Sequence, residues 1–178
     1  MAPLDDEDIA RMPYRPCVGI MLVNAKGKVW LGRRVPKWEK DGGETLWQMP
    51  QGGIDKGEEP REAAFREMKE EIGTDRASIL AETEGWLTYD LPREAIGQAL
   101  HGKFRGQTQK WFLMRYEGSD DEFHLEPDDH EVEFDAWDWV EIDRLPDLVV
   151  PFKRKVYEEL VAAFKPVVTE LAAGRAAS

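Results

Sequence analysis

The stretch from Gly52 to Thr74, GGIDKGEEPREAAFREMKEEIGT, restricts the fold of this chain more than any other. It reads as a glycine-rich loop feeding a helix. Pro60, with its fixed φ, suits the first helical position, and Gly73 suits a left-handed cap after the last. Between them Glu67, Glu70 and Glu71 recur at spacings of three and four, which puts their carboxylates on one side of a helix. Ala64, Phe65, Met68 and Ile72 fall on the adjacent side and can pack into a core. Three like charges on one face cost energy unless something offsets them. Arg66 can offset part through Glu70, and a hard divalent cation, which takes carboxylate oxygens, would offset far more. A solvated acidic face is the alternative reading of the same residues.

At 178 residues the chain has the length of one domain that can bury a substantial core. Its 42% hydrophobic and 34% charged content is that of a soluble globular chain, not a disordered one. A formal net charge of −12 rules out nucleic-acid binding through a general basic surface. Any polyanion must be drawn in by metal ions and a local basic patch. One cysteine, Cys17, lies within the apolar run CVGIMLV and reads as a buried structural thiol. No apolar run reaches the length of a membrane span, and the acidic start lacks the order of a signal peptide. A cytoplasmic location is the default expectation.

Along the chain, residues 1–13 read as a loose arm. Cys17–Val23 reads as a buried strand, with Val29–Leu31 opening a second strand of a hairpin. Arg33, Arg34, Lys37 and Lys40, interrupted by Trp38, form the only basic cluster of the first half. It is either a solvated loop or a clamp on phosphate. Leu46–Met49 reads as a short strand. After the glutamate-rich helix, Ile79–Leu91 is strand-like around Trp86 and Tyr89, and residues 93–109 read as a long loop with one helical turn. Lys110–Tyr116 reads as a central strand, and Ala136–Glu141 as a strand with Trp137 and Trp139 on one face. Val156, Leu160 and Phe164 mark a final helix from Phe152 to Lys165, broken or kinked at Pro166, with residues 169–178 a disordered tail. His101, His124 and His130 do not cluster and read as surface residues. Strands alternating with helices, with hairpins mixed in, predict an α/β fold with a mixed sheet covered on both faces.

Gly52, Glu58, Arg66, Glu67, Met68, Glu70, Glu71 and Gly73 stand at the spacings of the Nudix box, G-x5-E-x7-R-E-U-x-E-E-x-G-U, where U is a bulky aliphatic residue. Thr74 is the one departure, at a packing position. WQMPQGG upstream, and KWFLMRY, EFDAWDWV and PFKRKVY downstream, resemble one Nudix branch. That branch contains RNA 5′-pyrophosphohydrolases and dinucleoside polyphosphate hydrolases such as those of diadenosine tetraphosphate. The resemblance runs over residues 14–168 and implies an α/β/α sandwich with the box as loop-helix-loop.

The resemblance also implies roles. Glu67, Glu70 and Glu71 would bind metal, with Glu133 as a further carboxylate from outside the box and the Gln51 carbonyl completing the shell. Mg²⁺, Mn²⁺ or another divalent ion would serve, in two or more copies. Glu67 would be the general base, with Glu70 the other candidate and Arg66 beside them in the catalytic set. Glu58 and Arg66 would tie loop to helix, with Gly52 and Gly73 as structural positions of the box. Arg34, Tyr89, Lys110 and Lys153 would grip phosphates, and Phe152 would stack a base. Expected substrates are a triphosphorylated RNA 5′ end or a dinucleoside polyphosphate, with no extended duplex and no membrane as partner. A nucleotide-binding module that does not cleave is a third reading, disfavoured because every box carboxylate is present.

Overall fold

The computed structural model describes residues 4–36, 47–127 and 131–174. Lys37, Trp38, Lys40, Leu46 and His130 lie outside them. The chain opens with a short helix α1 (Asp6–Arg11), where a loose arm was expected. Asp5 and Asp8 cap each other across its first turn, which is why so short a helix holds. Strands β1 (Tyr14–Val23) and β2 (Val29–Arg34) form the expected hairpin. Two short strands follow, β3 (Trp47–Gln48) and β4 (Gln51–Gly53). Helix α2 (Pro60–Ile72) starts and stops where Pro60 and Gly73 place it.

Gly73 has φ 83°, and a Cβ there would meet the backbone of His124 at 2.8 Å. Conformation and space therefore both demand glycine at that cap.

Strands β5 (Ala77–Glu82), β6 (Leu87–Asp90), β7 (Gly106–Tyr116) and β8 (Phe134–Val140) complete one mixed eight-stranded sheet. β1 and β7 run parallel at its centre, from Tyr14 opposite Gly106 to Val23 opposite Arg115. Every other pairing is antiparallel. The other edge of β1 is divided. β4 takes Cys17–Gly19, and β2 joins only at Val23.

Period-two alternation separates two cores. Val18, Ile20, Leu22, Trp30, Phe112 and Met114 face α2. Met21, Val23, Leu31, Trp111 and Leu113 face the last helix, α4 (Arg154–Ala172), which follows the short α3 (Leu145–Leu148). The result is the expected α/β/α sandwich. Trp137 and Trp139 share one aromatic cluster with Trp30 and Phe123.

Three further expectations change. α4 runs through Pro166 to Ala172, so residues 169–172 are helical where a tail was expected. A proline inside a helix costs about 3 kcal/mol. Burying Val168 and Leu171 returns about 1.5–3 kcal/mol each, which exceeds it. The helix end also packs under the β1–β2 turn, where a Cβ on Gly27 would sit 2.9 Å from that of Ala172. The loop after β6 ends at Arg105, because β7 begins at Gly106 rather than Lys110. Finally, Ile79–Leu91 is two strands, which pair with opposite halves of β7. Among the described residues no helix is long and apolar enough to cross a membrane.

Candidate active site

A cleft of about 940 Å³ opens beside β4 and the end of β2. Glu67, Glu70 and Glu71 line it from α2, Glu133 from just before β8, and Gln51 and Gly52 from β4. Arg34, Tyr89, Phe152 and Lys153 line it as well. Residues more than a hundred positions apart in the chain thus meet in one cavity.

Arg66 organises the loop-helix junction. Its Nε and Nη2 donate to the two Glu58 oxygens at 2.7 and 2.8 Å, and Nη2 also donates to the Gly53 carbonyl at 2.9 Å. Nη1 donates to Glu67 at 2.9 Å and to Glu70 at 3.2 Å. A forked, charge-assisted pair of this kind gives geometric precision as well as energy. It holds the Glu58 carboxyl down at about 2, and in return raises the Arg66 guanidinium further. Burial pushes the Glu67 carboxyl up, opposed by Arg66 and reinforced by the charge of Glu70.

Gly52 is there for space. A Cβ on it would lie 2.1 Å from the Glu67 carboxyl. Glu71 is 5% exposed, so its carboxyl lies in a low-dielectric part of the cleft. Among the described residues no three His, Cys, Asp or Glu side chains close around a common point as a ready ion cage. The expected shell of Glu67, Glu70, Glu71 and Glu133 is brought to one cleft without being closed. Arg66, bonded to both Glu67 and Glu70, supplies positive charge between them. The donor set still suits a hard divalent ion, since carboxylate oxygens predominate and Gly52 leaves the Glu67 carboxyl room.

The cleft is also basic and aromatic. Lys153 is 6% exposed and donates to Gln48 at 2.9 Å. Its ammonium sits 5.6 Å from the Tyr89 ring and 5.9 Å from the Phe152 ring. Tyr89 and Phe152 pack against each other at 5.7 Å. Burial raises the Tyr89 phenol far above its ordinary range, so it stays protonated.

Lys110 does not line the cleft. Its ammonium bonds the Thr83 carbonyl instead, because it sits on β7 one residue out of phase with Gln107 and Gln109. Arg33 likewise pairs with Asp135 at 2.7 Å, leaving Arg34 alone of that pair in the cleft. Cys17 is fully buried and its thiol is pushed up to about 12 by burial, as suits a structural position.

Several lining residues were not foreseen. Arg15 packs over Gly53, and Gln48 and Gln107 form a buried amide floor. Gln51 donates to Gln107 at 3.2 Å, Gln109 donates to both, and the Trp111 indole donates to Gln109 at 2.8 Å. The alternation Gln107-Thr108-Gln109 carries that signal, because the strand starts at Gly106 and not at Lys110. His101 is exposed, as expected, and stands at the edge of the cleft.

Residues 13–160 match the NUDIX domain model. An RNA pyrophosphohydrolase of Brucella anthropi is 56% identical over 170 residues, covering 93% of this chain and 96% of that protein. One of Brucella ovis is 54% identical over 162 residues, covering 89% and 91%. Among solved structures, a MutT protein of Methanosarcina mazei aligns with a TM-score of 0.63 at 21% identity, over 87% of this chain and 98% of that one. A C. elegans Ap4A hydrolase aligns with a TM-score of 0.56 at 18% identity, over 84% and 98%. These last two share the fold. A family match over most of the length, with relatives more than half identical to it, shows that this chain belongs to the Nudix family and is a pyrophosphohydrolase.

Proposed function

We propose that this Nudix enzyme removes pyrophosphate from triphosphorylated RNA 5′ ends, leaving a monophosphate. The observation that carries the reading is one cleft lined both by Glu67, Glu70, Glu71 and Glu133 and by Arg34, Lys153, Tyr89 and Phe152. A chain of net charge −12 can hold a short polyanion only through such a local arrangement. An RNA end needs only its terminal phosphates and one or two bases, so extended duplex is no partner. The similarity to proteins named RNA pyrophosphohydrolases favours this substrate over dinucleoside polyphosphates.

Nudix hydrolases generally use divalent cations such as Mg²⁺. Here Glu67, Glu70, Glu71 and Glu133, with the Gln51 carbonyl, would hold them. A bound divalent ion neutralises phosphate oxygens and lowers the pKa of water. The chain's own groups do the rest. Arg34 and Lys153 fix the phosphate oxygens by charge. Glu67, raised by burial, takes a proton from the attacking water, with Glu70 the other candidate. Arg66 keeps both in place. The oxygen of water bonds to phosphorus as an anhydride P–O bond breaks, and the released pyrophosphate carries away the electron pair. The enzyme would act in the cytoplasm, which cell fractionation would check.

The test offers purified protein with Mg²⁺ both triphosphorylated RNA and diadenosine tetraphosphate, and identifies the products. Pyrophosphate release from RNA is expected. Glu70→Gln should lower it by about 10²–10⁴-fold, the usual worth of a positioned acid–base group. Far more efficient turnover of diadenosine tetraphosphate would reverse the assignment. Equal turnover by wild type and variant would place catalysis elsewhere.

A further inference from the structure

The segment between β6 and β7 gives the cleft four consecutive lining residues, Gln98, Ala99, Leu100 and His101. None has a part in the phosphate chemistry. Among the described residues, Leu100 and His101 are the only non-glycine positions with positive φ, at 54° and 59°. L side chains avoid that region, and two in succession are rarer still. Such strain persists only where the surroundings enforce it, and it collects at ligand contacts.

The surroundings here do enforce it. Ala95 is fully buried, and Ala99 N–H donates to its carbonyl at 2.9 Å. Gly102 N–H donates to the Ala99 carbonyl at 3.0 Å. The segment's ends are tied by Leu91 N–H to the Arg105 carbonyl at 2.8 Å and by Arg105 N–H to the Pro13 carbonyl at 3.1 Å. From below, Arg93 pairs with Asp6 of α1 and donates to the Leu4 carbonyl at 3.2 Å. This is a built rim.

Its position argues for what it meets. Ala99 and Leu100 pack with Phe152 against the core under α4. Glu67, Glu70 and Glu71 stand on α2, whose apolar face belongs to the other core. Phosphates held at those carboxylates leave Phe152 and the rim for the nucleoside. A volume of about 940 Å³ exceeds the needs of phosphates alone. The chemistry fits a nucleobase. Tyr89 and Phe152 offer aromatic faces, Leu100 an apolar edge, and His101 and Gln98 groups that can donate to or accept from a base edge.

We propose that this rim contacts the nucleobase of the substrate's 5′-terminal nucleotide, with His101 as its specificity-determining residue. The inference rests on the RNA-end reading of the cleft. It leaves the phosphates to Arg34 and Lys153.

Two measurements test it. The first is steady-state kinetics of wild type, His101→Ala and His101→Gln on triphosphorylated RNA with each 5′-terminal base, and on RNA whose 5′-terminal nucleotide is abasic. His101→Ala should raise KM about tenfold with kcat changed by no more than about twofold, and should compress the differences among bases. His101→Gln should recover part of the KM. On abasic RNA all three proteins should behave alike. An unchanged KM, or an equal loss on abasic RNA, overturns the proposal.

The second measurement needs no turnover. The His101 imidazole signal, identified by its absence in His101→Gln, is followed by NMR as AMP or ribose 5-phosphate is added. A larger shift with AMP supports the rim as a base contact, and equal shifts overturn it. Should the wild type leave RNA ends uncut, the proposed function fails, while the NMR titration still decides the role of the rim.

Discussion

Gly52→Ala separates the demands of the fold from those of the chemistry. Gly52 sits in β4 opposite Val18, with no positive φ, so alanine can adopt its backbone conformation. The added Cβ would fall 2.1 Å from the Glu67 carboxyl, whereas ordinary contact begins at 3.4 Å. The carboxyl must therefore move by more than an ångström. It is the far end of a flexible side chain, so the fold can absorb the move at the expense of its bond to Arg66. Replacing glycine by alanine at a compatible site stabilises by about 0.4–1 kcal/mol through the unfolded chain. The melting temperature should thus be unchanged or higher by about 1–4 °C for a domain of this size. Activity should suffer, since misplacing a catalytic group by about 1 Å can cost 10²-fold. The assay pairs thermal unfolding with kcat on triphosphorylated RNA. Activity within about threefold of wild type would refute the claim that the position of the Glu67 carboxyl governs the rate. A large fall in melting temperature would refute the claim that the fold tolerates the change.

The remaining predictions concern the same framework. Glu58 has its carboxyl lowered from 4.5 to about 2 by Arg66, so its contribution to stability is fully present above about pH 5 and is lost as pH falls toward 2. Glu58→Gln should therefore be less stable near neutrality yet lose less stability over that acid window. Parallel stability curves for the two proteins would contradict the pairing. Lys153→Met should raise KM for triphosphorylated RNA by about tenfold or more, whereas Lys110→Met, outside the cleft, should leave it nearly unchanged. Equal effects in steady-state kinetics would undo that distinction. Gly73→Val places a branched residue at φ 83° against the His124 backbone and should cost about 2–4 kcal/mol in chemical denaturation. Chelation of divalent ions should abolish turnover and readdition of Mg²⁺ restore it, with the secondary structure seen by circular dichroism unaltered.

Much of this protein could be read before any coordinates. The limits of α2 followed from Pro60 and Gly73, because helix ends are set by backbone chemistry local to a few residues. The mixed sheet covered on both faces followed from strands alternating with helices, with hairpins mixed in. The box residues lie within a span of 22 positions, so their helical spacing alone put Glu67, Glu70 and Glu71 on one wall. Arg34 was marked by its basic cluster, whereas Tyr89, Glu133, Phe152 and Lys153 were reached only by resemblance, since they are far apart in the chain and nothing local ties them to the box. The sequence misled where a local rule competed with distant packing. Pro166 argued for a helix end, yet the burial of Val168 and Leu171 carries α4 past it. Lys110 reads as one more cation near the site, but strand phase turns it away.

The sequence by itself determined a Nudix helix bearing carboxylates on one face, because those signals are short-range and periodic. Only the tertiary structure decided what faces them. The packing of α2, β4 and the end of β2 around one space forms the cleft, the parallel pairing of β1 with β7 sets the glutamine floor, and the enforced left-handed turn at Leu100 and His101 forms the rim. Each of these depends on contacts between residues distant in the chain, whose energies no local pattern encodes.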